Sequence, residues 1–323
     1  MHEYNVDLPV LLIFFTRPDT LSKVFEKVKK ARPSKLFLAC DGPREGNAID
    51  ALAVEQCKKI VEDIDWDCEV YKNYSEKNMG CGMRPQTAIG WALSVVDRIV
   101  ILEDDCVPDD SFFPYMAELL EKYKDDERIG MISGLNHLRE WNCGGNSYCF
   151  TKTGAIWGWA TWRRVWDNYD YCLNSVSDPH LLKLIRNDIR SKTAKKEKIN
   201  RWIIANRKIK EGKNLSYWDV QFGFLKNRYS YLAIVPKHNL ICNIGVGEGS
   251  THAIELNIDK WKEGRLHFIP VKNLETPLIH PDYVVCDYEY DKRVDDTWLN
   301  QPYLKRWCGK IKRGLKKIIK IKR

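Results

Sequence analysis

The chain has 323 residues and 44% apolar side chains, enough for one large α/β domain or two modest ones. Its net charge of +8 is concentrated in the last 20 residues, 304–323, where ten Lys or Arg and no acid leave the rest of the chain at −2. Eleven cysteines without a Cys-X-X-Cys pair or zinc-like spacing argue against a zinc module. The odd count and the lack of a secretory signal fit reduced thiols in a cytosol. No apolar run is long enough for a membrane span. Twelve Trp and fifteen Tyr are more than expected; they suit sugar-stacking platforms and core packing equally.

Residues 10–15 read as a buried strand, and Thr16-Arg17-Pro18-Asp19 turns into a helix over 19–31, where Leu21, Val24, Phe25 and Val28 recur at helical spacing. Residues 35–40 form a second strand ending in Asp41-Gly42-Pro43. A helix over 50–63 has Ile49, Leu52, Val54, Cys57, Ile60 and Val61 available for its buried face. Residues 68–71 give a third strand, 82–96 a third helix and 99–102 a fourth strand. Such alternation implies a parallel sheet with right-handed crossovers.

The fourth strand, Ile99-Val100-Ile101-Leu102, runs directly into Glu103, Asp104 and Asp105. Three adjacent acids repel one another and are expensive to bury unpaired. They are tolerable at the carboxyl edge of a parallel sheet, where open α/β folds place ligands. A divalent cation, magnesium or manganese, would offset the repulsion. The competing reading is a solvated strand-to-helix turn.

Beyond the acids, Asp110 or Ser111 caps a helix running to residue 123, and strands follow over 129–133 and 147–151. In residues 155–166, Trp159, Trp162 and Trp166 sit three and four apart, the spacing of a helical stripe. Residues 180–213 read as helical and strongly basic, with a solvated face as the default and an acceptor diphosphate as the functional alternative. In Trp218-Asp219, the carboxylate either caps a helix over 220–226 or serves as a general base. A strand spans 231–235, and three glycines in residues 245–249 suit a hinged lid. No chemistry is assigned to residues 255–290. The tail places Ile311, Leu315, Ile318 and Ile319 among its basic residues, an amphipathic helix suited to anionic lipid. It carries no recognisable nucleic-acid-reading motif.

The Glu-Asp-Asp triplet followed by Pro108-Asp109-Asp110-Ser111-Phe112-Phe113 resembles the N-acetylglucosaminyltransferase I family and a group of bacterial surface-polysaccharide glycosyltransferases of the GT-A fold. Trp157-Gly158-Trp159-Ala160-Thr161-Trp162 and Trp218-Asp219 extend the resemblance, which covers about residues 8–255. It implies a GT-A-like, mostly parallel nucleotide-binding sheet flanked by helices, with a catalytic domain over 1–255, an extension over 256–303 and the basic tail over 304–323. By the same resemblance Asp105 binds Mn2+ or Mg2+, and Glu103 and Asp104 reach ribose, sugar or metal-bound water. Arg17 and Arg84 approach the nucleotide, Asp41 holds the uracil ring, Gly158 and Trp159 line the donor-sugar pocket, and His252 touches phosphate or metal. Asp219 is the base. The implied activity is inverting transfer from a nucleotide sugar, UDP-linked and perhaps UDP-GlcNAc, to a glycan or lipid-linked acceptor in surface polysaccharide synthesis, at the cytoplasmic face of the membrane. Two other classes remain: a sugar nucleotidyltransferase, whose Gly-rich N-terminal loop is replaced here by Phe15-Thr16-Arg17-Pro18, and a catalytically silent glycan- or membrane-binding module.

Overall fold

The computed structural model describes residues 8–245 and 267–298. The first half alternates β1 (Pro9–Phe14), α1 (Pro18–Ala31), β2 (Lys35–Cys40), α2 (Ala48–Val61), β3 (Glu69–Tyr74), α3 (Gly80–Val95) and β4 (Arg98–Glu103). All six residues of β1 are buried, as expected of a parallel strand covered on both faces. Its neighbours β2 and β4 both pair with it in parallel, and β3 continues the sheet beyond β2. Arg17, Asp41 and the acidic triplet therefore follow strands that end at one edge of the sheet.

Next come β5 (Cys106–Pro108), α4 (Phe112–Lys122), β6 (Ile129–Ser133), β7 (Tyr148–Thr151), β8 (Trp159–Trp162) and the short α5 (Arg163–Trp166). The chain then adds a 3-10 turn at Asn174–Ser177, α6 (Pro179–Asp188), α7 (Lys192–Lys210), α8 (Asp219–Arg228), β9 (Leu232–Pro236), β10 (Ile241–Asn243) and α9 (Tyr288–Trp298). The eight-stranded sheet has the order β3-β2-β1-β4-β8-β6-β9-β7, and β10 pairs with β5 in a separate ribbon. This is a mixed α/β fold with a large, mostly parallel central sheet flanked by helices; β8 runs antiparallel to both neighbours and β7 antiparallel to β9.

Three local expectations give way. Residues 159–162 are strand rather than helix: all four are buried, and β8 is hydrogen-bonded between β4 and β6, so helix begins only at Arg163. On α2, Ile49 and Leu52 are exposed, whereas Val54, Cys57 and Val61 supply the buried face. Asp50 takes a buried place on that helix because the Arg44 guanidinium, 2.7 Å away through Nη2, neutralises it. The basic stretch forms two helices, α6 and α7, rather than one.

Two apolar clusters meet at α8. Phe222 and Leu225 belong to the core under the sheet, while Val220 and Phe224 join Leu173, Ile185, Ile199 and Trp202 beneath α6 and α7. Helix α8 thus forms part of the wall between the sheet edge and the helical cluster.

Candidate active site

The acidic edge is built from three segments. Asp104 and Asp105 are buried, and the Phe15 amide donates to Asp104 Oδ2 at 3.0 Å. The Arg17 guanidinium lies 2.6 Å from Asp105 Oδ2 and 3.4 Å from Asp104 Oδ1. Burial by itself would depress Arg17, but Asp104, Asp105 and Glu103 more than reverse this and hold it above the ordinary arginine range. Asn243 of β10 donates from Nδ2 to Asp105 Oδ1 at 3.1 Å, and the Ile244 amide donates to the Asp105 carbonyl at 2.9 Å. Gly245 passes so close that an added Cβ would stand 1.9 Å from Asp105 Oδ2, so only glycine fits there.

Glu103 has a different environment. It is half-buried and lines a cavity of about 650 Å³, with no hydrogen-bond or ion-pair partner among the described residues. Burial pushes its carboxyl up, and Asp105, Asp104 and Asp219 add to that shift against the pull of Arg17. Asp104 is also raised, first by burial, although Arg17 works in the opposite direction.

Asp219 lines the same cavity as Glu103, together with Trp157, Tyr217, Arg201 and Lys226. It is the first residue of α8, but Trp218 holds the N-cap position and no side-chain cap is formed. The carboxylate is 39% exposed, with Arg201 Nη2 at 3.9 Å from Oδ2. Its support is rigid. Trp218 stacks on Trp159 at 5.8 Å between ring centroids, and the Tyr169 hydroxyl donates to the Trp218 carbonyl at 3.1 Å. At the start of α3, an added Cβ on Gly82 would meet the Leu215 carbonyl oxygen at 1.9 Å, and the Cys81 thiol donates to the Ser216 carbonyl at 3.0 Å. Gly82 therefore lets α3 brace the loop that presents Asp219.

Four of the candidate donor residues are engaged by the protein itself. Asp41 is 5% exposed, and its two oxygens accept from the amides of Gly42, Met79 and Gly80 and from Asn78 Nδ2, a set that ties down the loop before α3. Arg84 is buried within the wall, where Nη2 donates to Asn73; burial lowers its basicity. Trp159 is fully buried and packs behind the cavity against Trp218 and Phe222. Gly158 adopts φ +56, and an added Cβ would stand 2.2 Å from Ile241 Cδ1, so packing explains this glycine. Position 157, one residue earlier, supplies the tryptophan that does face the cavity. His252 and the 304–323 tail lie outside the described residues.

Sequence reading did not single out Asn243, Trp157, Tyr217 or Lys226, and it weighed Arg201 only as one of the basic residues of 180–213. Trp157 and Tyr217 adjoin recognised motifs. Asn243 and Lys226 had no signal, because the three-residue β10 and the inward face of α8 arise only from packing.

Among the described residues, no three His, Cys, Asp or Glu side chains converge as a ready metal cage. The donor chemistry nonetheless suits a hard divalent cation. Glu103 has an unengaged carboxyl facing the cavity, and Asp105, two residues on, has Oδ2 against the Arg17 cation and Oδ1 accepting from Asn243, so a cation there would compete with Arg17 for Oδ2.

No protein-family model matches the chain, and no curated protein matches it. Among solved structures it is similar to a UDP-glucose pyrophosphorylase complexed with UDP-glucose, at 9% identity and a TM-score of 0.37, covering 77% of this chain and 97% of that one. It is also similar to a cytidylyltransferase from Leptospira borgpetersenii, at 16% identity and TM-score 0.29, covering 53% and 65% of the two chains. A third is HddC from Yersinia pseudotuberculosis complexed with GMP-PN, at 11% identity and TM-score 0.32, covering 50% and 80%. None of these three is a glycosyltransferase by name.

Proposed function

We propose that the protein transfers a sugar from a nucleoside diphosphate sugar to an acceptor hydroxyl, with inversion at the anomeric carbon. The observation that carries this reading is the placement of Glu103 and Asp219 on one cavity, with the buried, Arg17-paired Asp104 and Asp105 directly following Glu103 in the chain. Arg17, at the end of β1, suits the donor diphosphate by its planar fork of donors. Asp219 takes the proton from the acceptor hydroxyl as its oxygen bonds to the anomeric carbon, and the bond to the diphosphate breaks with its electron pair leaving on phosphate oxygen. Asp105 and Glu103 are the residues that would hold a Mn2+ or Mg2+ ion, which neutralises charge on a departing diphosphate. The acceptor in this reading is a glycan or lipid-linked oligosaccharide of surface polysaccharide synthesis, with the basic tail of residues 304–323 attracted to anionic lipid.

Nucleotidyl transfer is the second reading, and it is the activity that the names of the solved structures above suggest. The two differ in the bond that breaks. Sugar transfer releases a nucleoside diphosphate, whereas nucleotidyl transfer from a nucleoside triphosphate releases pyrophosphate. The test incubates the full chain and manganese with a panel of UDP-sugars and oligosaccharide acceptors, and separately with UTP and sugar 1-phosphates. Release of UDP with an inverted glycoside is expected. Pyrophosphate from the UTP arm, or a product of retained configuration, refutes the proposal.

A further inference from the structure

Four cationic side chains line the cavity, Lys152, Lys198, Arg201 and Lys226, against only two carboxylates, Glu103 and Asp219. The carboxylates have roles in the proposed reaction, but the cations do not. Lys152 is answered by Asp188 at 3.1 Å, and Arg201 stands near Asp219. Among the described residues neither Lys198 nor Lys226 has a carboxylate within 4 Å, although Lys198 attracts the Asp295 carboxylate from an adjoining cavity that both line.

Lys226 is the unusual one. It is 6% exposed, and the hydrogen-bond partner of its ammonium is the thioether of Met131 at 3.2 Å, a weak acceptor. Nearby Asp291 is already engaged, accepting from the amides of Lys152 and Thr153 at 2.9 Å each. A buried ammonium without a good acceptor is costly. Burial, and then Lys198 and Lys152, push it down to about 7 against the pull of Asp291. Lys226 follows Asp219 by seven residues, two turns along one face of α8, or about 10 Å along the axis.

We propose that the Lys198–Lys226 end of the cavity is a subsite for an anionic group, phosphate or carboxylate, carried on the acceptor about 10 Å from the hydroxyl that Asp219 deprotonates. The inference rests on the reading of this cavity as the acceptor site. It narrows the substrate class from any glycan to an acidic or phosphorylated one. An oxyanion there would supply the acceptor that the Lys226 ammonium lacks, and the two lysines would hold it from α7 and α8.

The test is calorimetry on the full chain with saturating UDP and manganese, using three probes: methyl glucoside, glucuronic acid and glucose 6-phosphate. One of the charged sugars is expected to bind at least roughly tenfold more tightly than the neutral one, the scale of a charge-assisted hydrogen bond. Which one does so separates carboxylate from phosphate. Lys226→Met should abolish the preference while leaving UDP affinity unchanged. Lys198→Gln, at a half-buried position, should weaken it about threefold and tests the second lysine independently of Lys226. Equal binding of charged and neutral sugars overturns the subsite, as does a preference that survives in the folded variants. Failure of UDP itself to bind counts against the donor site instead, and the comparison among the three sugars still stands without it.

Discussion

Replacing Lys226 by Met should make the protein more stable, and by an amount that depends on pH. In the folded chain the ammonium sits at about 7 against the ordinary lysine value of 10.5. Between these values the unfolded chain keeps a proton that the folded chain has given up, so this residue's contribution to stability rises with pH. Integrated over that interval, the charged lysine costs the folded state about 4 kcal/mol at pH 7 and about 1 kcal/mol at pH 10. Methionine carries no such cost and places a thioether beside Met131. The stability gap between variant and wild type should therefore shrink by about 3 kcal/mol from pH 7 to pH 10. Burial also raises the Cys57 thiol and the Tyr74 phenol, so the protein loses stability through these groups in alkali. Both chains share that loss, and it cancels in the difference. Urea unfolding of the two chains at each pH, compared at unchanged m, measures the gap. A gap of the same size at both pH values would show that Lys226 is not a desolvated base, and the burial cost attributed to it would have to be abandoned.

Asp219→Asn should lower sugar transfer by roughly 10²–10⁴-fold, the usual worth of a general base, with donor affinity unchanged; transfer near the wild-type rate would end the catalytic assignment. Asp105→Ala should abolish manganese-dependent binding of the nucleotide sugar and leave the fold intact. Calorimetry with and without chelator checks this, and unchanged affinity would sink the metal role. Deleting residues 305–323 should preserve turnover of a soluble acceptor but release the protein from anionic vesicles, with salt weakening the wild-type interaction as exposed charges are screened. Sedimentation with vesicles as before would show that the tail is not the anchor.

The sequence by itself determined the parallel, acid-edged half of the molecule. Strands β1, β2 and β4 are nearly unbroken apolar runs because a parallel sheet covered by helices buries both faces, and such runs are legible without any structure. The acidic triplet was visible for the same reason: three carboxylates after a buried strand have few tolerable locations. Tertiary structure decided the rest. Trp159, Trp162 and Trp166 have helical spacing, yet the first two lie in β8, because hydrogen bonding between β4 and β6 outweighs a weak periodic preference. Asp41 and Arg84 sit at motif positions, but one is saturated by four hydrogen bonds and the other is buried against Asn73. Asn243 reaches Asp105 only because β10 pairs with β5, a contact between residues more than a hundred apart. Lys226 looks in the sequence like any surface lysine near a helix end. Apolar residues recur all around α8, so its pattern does not reveal an inward face; two separate cores close on the helix and put that ammonium into the cavity.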